Sequence, residues 1–317
     1  MAAQCRGYKM KKIALFISIL LLVPLASAGE WRGDGTPLYT IAEGRIHGGV
    51  YVGGGHGLTY EDPYVEYFDL PGNIEYARLY VPVWNYNEGD WIEVSINGKS
   101  LGRSSEPDYV AAWGICDYVL NVTDELSPGM NTVSVTYHNT NGAPYSIVLV
   151  AVYNDTTMPQ TRFWIAEGNH ALSQTSKIDH AEVIFKGDIP KEATNATLWT
   201  MIIAGNEGEI DKLYFNSNLL GEDVGRRKSG AYFDLDSWDV TEFVGTANNS
   251  VWFERGGETY IHPFNAVLSI EFMEDQGDDY IEIHPMAESE GENLPRAVVM
   301  VLVVSMLFLI YRVRSKK

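Results

Sequence analysis

Ala77-Arg78-Leu79-Tyr80-Val81-Pro82-Val83-Trp84 returns as Ala196-Thr197-Leu198-Trp199-Thr200-Met201-Ile202-Ile203, and that repetition decides the fold. Downstream, Asn97-Gly98-Lys99-Ser100-Leu101-Gly102 answers to Asn216-Ser217-Asn218-Leu219-Leu220-Gly221. Asp117 to Asp124, ending Val-Thr-Asp, answers to Asp236 to Glu242, ending Val-Thr-Glu. Asn131-Thr132-Val133 matches Asn249-Ser250-Val251, and Val148-Leu149 matches Val267-Leu268. The offset holds at 118 or 119 residues, a fixed period that marks a duplicated domain. The lead-in is duplicated too, as Thr40-Ile41-Ala42-Glu43-Gly44 and Trp164-Ile165-Ala166-Glu167-Gly168.

Within each copy the apolar runs are short. They fall at 77–84, 91–96, 132–137 and 147–153 in the first copy, and at 197–203, 212–215, 251–254 and 267–272 in the second. Gly, Pro, Asn and Asp punctuate them closely, and no long run of helical period intervenes. This predicts antiparallel β-sandwiches. Asn97-Gly98 predicts a type I′ hairpin turn, with Asn216-Ser217 as its weaker counterpart.

The two ends predict where the pair resides. Lys9, Lys11 and Lys12 precede an apolar run from Ile13 to Leu22, and Ala26-Ser27-Ala28 offers a cleavage site, so 1–28 reads as a secretory signal. Either Met1 or Met10 serves as the start. Ala297 to Tyr311 is uncharged and spans roughly 22 Å as helix, against a hydrocarbon core of about 30 Å. With flanking residues able to snorkel, 296–313 is expected to cross the membrane, and the basic tail 314–317 to stay inside. Between lie sandwich domains at 29–157 and 158–276 and an acidic stalk at 277–295.

Residues 29–295 carry 14 basic against all 42 acidic residues, which excludes nucleic acid as a partner. Removal of Cys5 with the signal leaves Cys116 alone, so no internal disulfide forms and Cys116 is expected in the core.

The run Ile92 to Gly102, then Leu120 to Leu126, then Pro128 to Val135, resembles the galactose-binding-like jelly roll, which appends to glycosidases and cell-surface proteins. More closely, Gly48 to Leu58 with Ile147 to Tyr153 is similar to a family of secreted archaeal surface proteins, mostly from methanogens, of unknown function. The resemblance implies a surface location and a jelly-roll-like fold; with the repeat and the apolar C-terminal run, the chain is expected to be all-β, two tandem jelly-roll-like β-sandwiches followed by one C-terminal transmembrane helix. It implies no catalytic residue.

Several residues invite a chemical reading. Gly53-Gly54-Gly55-His56-Gly57 lacks the Lys and the helix of a phosphate loop and predicts a bulge or tight loop. The seven His residues show no paired spacing of a zinc site, and no Gly-x-Ser-x-Gly elbow appears. Asp234, Asp236 and Asp239, with Asp117 and Asp124 in the first copy, could supply oxygens to calcium, though they also suit turns. Most Trp residues fall in strand runs, where core packing is the default; Trp113, with Tyr109 and His56, is the candidate ligand platform. Asn121, Asn154, Asn195 and Asn248 open Asn-x-Ser/Thr sequons and are candidate glycan acceptors. Arg226, Arg227 and Lys228 concentrate positive charge in one loop, expected either to be solvated or to dock on an acidic neighbour.

The function expected from all this is non-enzymatic: a membrane-anchored surface protein with a structural or adhesive role, its partners the membrane and envelope proteins or glycans. The alternatives are a glycan-binding module, with or without calcium, and a surface hydrolase. An aromatic and acidic cluster at one loop end would favour the glycan; paired carboxylates about 5–9 Å apart in a cleft would favour the hydrolase.

Overall fold

The computed structural model describes residues 34–138, 141–189, 193–272 and 282–285. The expected signal peptide, transmembrane helix and basic tail all lie outside these residues. Among the described residues no helix is long and apolar enough to cross a membrane.

The first half contributes β1 (Gly35–Gly54), β2 (Tyr64–Leu70), β3 (Asn73–Trp84), β4 (Trp91–Ile96), β5 (Lys99–Ser104), β6 (Tyr109–Val110), β7 (Cys116–Asn121), β8 (Gly129–His138), β9 (Ala143–Pro144) and β10 (Val148–Asn154). The second contributes β11 (Gln160–His170), β12 (Leu172–Ser173), β13 (His180–Asp188), β14 (Ala193–Ile203), β15 (Lys212–Phe215), β16 (Asn218–Glu222), β17 (Phe233–Asp239), β18 (Ala247–Glu254) and β19 (Tyr260–Phe272). A last strand, β20 (Glu282–Pro285), follows. The fold is all-β, as the punctuated apolar runs predict.

The duplication is visible in the sheets. One four-stranded sheet runs β2-β8-β4-β5 and the other β13-β18-β15-β16, which is the same permutation of equivalent strands. It is visible in single hydrogen bonds as well. Asn97 Oδ1 accepts from Thr132 N at 2.9 Å, and Asn216 Oδ1 accepts from Ser250 N at 2.8 Å. Thr123 Oγ1 accepts from Ala77 N at 2.9 Å, and Thr241 Oγ1 from Ala196 N at 2.8 Å. The predicted hairpin turn forms in both copies: Asn97 and Gly98 are left-handed, and so are Asn216 and Ser217.

The expectation of two self-contained sandwiches is corrected in one respect. A single twelve-stranded sheet crosses both halves in the order β17-β14-β19-β11-β1-β10-β3-β7-β6. Its midline is the antiparallel pair β1·β11, in which Tyr39 lies opposite Glu167 and Glu43 opposite Trp164. β1 is long enough, at 20 residues, to pair with β11 along its first part and with β10 along its second. The two halves therefore meet strand to strand rather than through a linker.

Strand alternation then builds three cores. In β10, Leu149 and Ala151 face the first half's own sandwich with Phe68, Val94 and Tyr118. Val148, Val150 and Val152 face the other way, into a core between the halves that includes Phe163, Ile165, Met201, Phe233 and Phe264. The third core fills the second half around Trp164, Phe185, Phe215 and Phe253. Each buried large side chain contributes about 1.5–3 kcal/mol, so the middle core makes the halves one unit. Cys116 is buried in the first core, as expected.

Four residues of the expected stalk are described, and they form a strand. Glu282–Pro285 pairs with β1, and Ile283 packs on the middle core. Acidic composition hid Ile283, an apolar residue that a strand turns onto a core. The rest of 277–295 lies outside the described residues.

Candidate functional site at the seam

Two polar groups sit side by side where the halves meet. The first is complete. Glu167 of β11 is 1% exposed, and its carboxylate accepts four hydrogen bonds. They come from Arg78 Nη2 at 2.5 Å and Nε at 3.3 Å, Tyr80 hydroxyl at 2.6 Å and Tyr109 hydroxyl at 2.8 Å. Tyr39 joins through the Tyr109 hydroxyl at 3.0 Å. Burial, together with the Glu167 charge, pushes the Tyr80 and Tyr109 hydroxyls up, so both remain protonated donors. Every lone pair that matters is satisfied, and the group is a strut between halves.

The second group is incomplete. Asp117 of β7, Asn169 of β11 and His262 of β19 are each buried. His262 Nδ1 lies 3.0 Å from Asn169 Oδ1, which makes Nδ1 the donor and leaves Nε2 as acceptor. Nε2 has no partner. Asn169 approaches the Asp117 carboxyl and favours its charged form, yet neither Asp117 oxygen nor Asn169 Nδ2 completes a hydrogen bond of good geometry. Burial pushes Asp117 up, with Asp108 and Glu167 adding to it. Burial lowers His262 to about 3, so it is neutral.

Trp113 covers this group. The residue is 40% exposed and its backbone is left-handed at φ 58°, where only a constrained non-glycine residue sits. The ring centroid is 5.3 Å from Tyr260 and 6.1 Å, edge-on, from His262. Tyr260 in turn feels the charges of Tyr232, Glu258, Arg227 and Glu209, which surround it from the second half's loops. Arg227 stacks over the Tyr232 ring at 3.8 Å. Burial, with Glu209 adding to it, pushes the Glu258 carboxyl up to about 8, although the backbone amide of Asn206 pulls the other way. This end of the seam is thus aromatic and acidic.

The remaining sequence candidates are distributed elsewhere. Tyr109 belongs to the strut, only 8% exposed, rather than to a platform. His56 stacks on Tyr64 at 4.1 Å and pairs with Glu66 at 2.6 Å and Glu61 at 3.6 Å. Its glycine run, expected to form a bulge or tight loop, approaches a second segment closely: Gly57 bridges to Ala231, and Leu58 N donates to Ala231 O at 2.7 Å.

The three calcium candidates are not brought together. Asp234 accepts from the backbone amides of Arg227 and Lys228, at 2.8 and 2.6 Å. Asp236 takes Arg226 and Lys228. Asp239 sits on the opposite face of β17 and caps Thr241, which lowers its carboxyl. Its counterpart Asn121 does the same for Thr123, so the position serves a turn in both copies. Among the described residues no group of three or more His, Cys, Asp or Glu could hold a metal ion.

Arg226, Arg227 and Lys228 point their charges inward as much as outward. Besides the Asp236 pairs, Arg227 donates to Gly205 O and Asn206 Oδ1. Of the sequon asparagines, Asn121, Asn195 and Asn248 are exposed and Asn154 is half-buried. Asn195 spends its amide on Glu271 Oε1 at 3.1 Å. Sequence reasoning missed Asn169, His262 and Glu167. Their only local signal is a polar residue set in an otherwise buried run, as in Ile165-Ala166-Glu167 and Ile261-His262-Pro263.

A family model described as "Protein of unknown function (DUF3344)" matches residues 30–271, about three quarters of the chain. The chain belongs to this family. No curated protein matches it. Among solved structures, a peptide-N(4)-(N-acetyl-β-D-glucosaminyl)asparagine amidase aligns at 9% identity over 74% of this chain and 99% of that one, with a TM-score of 0.27. An α-L-rhamnosidase of Streptomyces avermitilis, complexed with L-rhamnose, aligns at 12% identity over 82% of this chain and 30% of that one, at 0.22. The major capsid protein P2 of bacteriophage PM2 aligns at 9% over 72% and 100%, also at 0.22. At these TM-scores the likenesses carry no argument.

Proposed function

We propose that this member of the family is a non-enzymatic, membrane-anchored cell-surface protein that binds a glycan at the Trp113 end of its seam. One observation carries the reading: a part-exposed tryptophan, held in a left-handed backbone, with its ring against that of Tyr260, a tyrosine within the electrostatic reach of Glu258, Arg227 and Glu209. An aromatic face with hydrogen-bonding groups at its edge suits a sugar ring, which is apolar on its faces and polar at its rim. The exposed location rests on the signal and anchor expected at 1–28 and 296–313. Each half, with four strands over four in a shared order, is read as a jelly roll, in keeping with the resemblance to archaeal surface proteins.

A structural role in the envelope is the second reading, favoured by the middle core that makes both halves one unit. The hydrolase reading finds less support. Glu209 and Glu258 are within hydrogen-bonding reach of each other, closer than the roughly 5–9.5 Å that separates glycosidase carboxyls.

The full-length protein in detergent, applied to a glycan array, is expected to bind a subset of glycans. Trp113→Ala should abolish that binding without changing the melting temperature. An array with no binding, or a variant that binds as the parent does, would sink the glycan reading.

A further inference from the structure

We propose that Asn248 carries an N-linked glycan whose first sugar lies in the open cleft between β13 and β18. This rests on the exported location read from 1–28 and 296–313, and it is independent of the Trp113 site.

The four sequons fall in unlike surroundings. Asn154 is half-buried in the inner strand β10, with its Oδ1 enclosed. Asn195 spends its amide on Glu271. Asn121 binds Thr123 in a turn that Asp239 and Thr241 repeat in the second half, so the turn accounts for that asparagine. Asn248 is exposed, and its backbone is left-handed at φ 50°. The repeat does not demand this conformation. Asn249 and Asn131 are equivalent, each taking a side-chain amide from the hairpin asparagine, and Met130 before Asn131 is not left-handed. Asn248 Oδ1 accepts from Gly187 N at 3.2 Å, which sets the amide and leaves Nδ2 without a partner among the described residues. Buried Asn249 anchors the middle of the sequon, so strand alternation puts Asn248 and Ser250 together on the outer face.

On that face Asn248 and Ser250 line a cleft of about 360 Å³ with Glu182, Ile184 and Lys186 of β13. Small-ligand sites occupy roughly 300–1,000 Å³. Ile184 is 45% exposed on an edge strand, with carboxylate, amine and hydroxyl groups around it. A sugar ring over Ile184, its hydroxyls toward Glu182, Lys186 and Ser250, meets both its apolar and its polar needs. The bond to Nδ2 supplies a high effective concentration, so weak contacts suffice to seat it. A glycan here also shields the edge strand from pairing with other chains.

The sugar comes from a lipid-phosphate-linked oligosaccharide, moved by a membrane transferase that reads Asn-x-Ser/Thr. Nδ2 attacks the anomeric carbon and an N–C bond forms. The anomeric C–O bond to phosphate breaks, the lipid phosphate leaves, and the amide gives up one proton.

The test uses full-length protein purified in detergent from its own cells. Trypsin releases residues 229–255, which hold Asn248 as their one sequon, for mass spectrometry of intact glycopeptides. That peptide should carry sugar. Asn248→Asp keeps the acceptor for Gly187 N and should lose the sugar; Ser250→Ala should lose it too, and Ser250→Thr should retain it. In the glycosylated parent, Ile184→Ser should lower the melting temperature by about 2–4 °C. In the Asn248→Asp background, where no sugar covers Ile184, the shift should be below about 1 °C. Ser250→Ala provides a second unglycosylated background should Asn248→Asp fold poorly. A bare 229–255 peptide overturns the proposal. If the same chain begins at Gly29, the exported location survives that result; if it retains 1–28, both fall. A glycosylated peptide with equal Ile184→Ser shifts in both backgrounds also overturns the proposal, because the sugar then stands clear of the cleft.

Discussion

Arg78 Nη2 lies 2.5 Å from Glu167 Oε1 and joins the two halves across 89 residues of chain. Because Tyr80 and Tyr109 also donate to that carboxylate, removing it orphans three donors at once. Glu167→Ala should cost about 3–5 kcal/mol, the usual penalty for breaking a buried ion pair from one side. Arg78→Ala should be similarly costly, because it leaves a carboxylate that is 1% exposed without a cation, although the tyrosines still donate to it. Urea unfolding of both variants checks this. Parental midpoints for both would mean the strut does not hold the seam.

The seam also marks where the sequence was legible and where it was not. The repeat, the turn at Asn97-Gly98 and the strand runs follow from local pattern, and all appear. The pairing of β1 with β11 does not, because nothing local in either strand states that its partner lies in the other copy. A slip of one residue did further harm. Carrying the 119 offset into β7 equates Asp117 with Asp236, yet Asp117 lies opposite Pro82, and Leu235 lies opposite Met201, the true counterpart of Pro82. The correct equivalent of Asp117 is therefore Leu235, at an offset of 118. In a strand, one residue turns the side chain to the other face. Asp117 faces the seam, while Asp236 lies opposite Thr200 on the face of Leu198 and Ile202, toward the second half's own core.

Gly57 and Gly230 should tolerate no side chain. A Cβ on Gly57 would stand 2.1 Å from Ala231 N, and one on Gly230 would stand 2.1 Å from His56 O. Both residues are also left-handed, at φ 93° and 134°. Either Gly→Ala change is expected to cost about 2 kcal/mol or more, from strain and loop separation together. Gly98→Ala is the control, with a positive φ but open space, and should cost only about 1 kcal/mol. Thermal melts decide it. If all three variants melt together, the loops do not press on one another.

Stability should fall as pH rises from 6.5 to 8.5. The Glu258 carboxyl is pushed from 4.5 up to about 8, so the folded state binds the proton more tightly. Between those values folding takes up a proton, and stability is lost as pH climbs. Asp117 is shifted in the same direction by burial. His262, lowered to about 3, acts oppositely: the unfolded chain binds its proton below 6.5, so its effect is confined to the acid side. Glu258→Gln should flatten the slope above pH 6.5 in urea unfolding. Parallel slopes for parent and variant would show that Glu258 does not titrate as described.

The basic loop yields the last prediction, because its geometry changes what the loop is expected to do. Asp236 is only 4% exposed, and its carboxylate is met by Arg226 at 3.3 Å and by the Lys228 amine. Arg227 meanwhile clasps Tyr232 and Asn206 within the same half. Replacing all three by Ser thus leaves an enclosed carboxylate without a cation. The cations are themselves partly exposed and solvent-screened, which reduces the loss to about 2 kcal/mol. On that account the triple variant melts several degrees below the parent, and adding Asp236→Asn restores much of the difference. Salt-dependent self-association, followed by sedimentation at low and high ionic strength, should be unchanged, since the charges already have partners. The opposite pattern, a parental melt with association lost only at low salt, would mean the loop docks on an acidic neighbour instead.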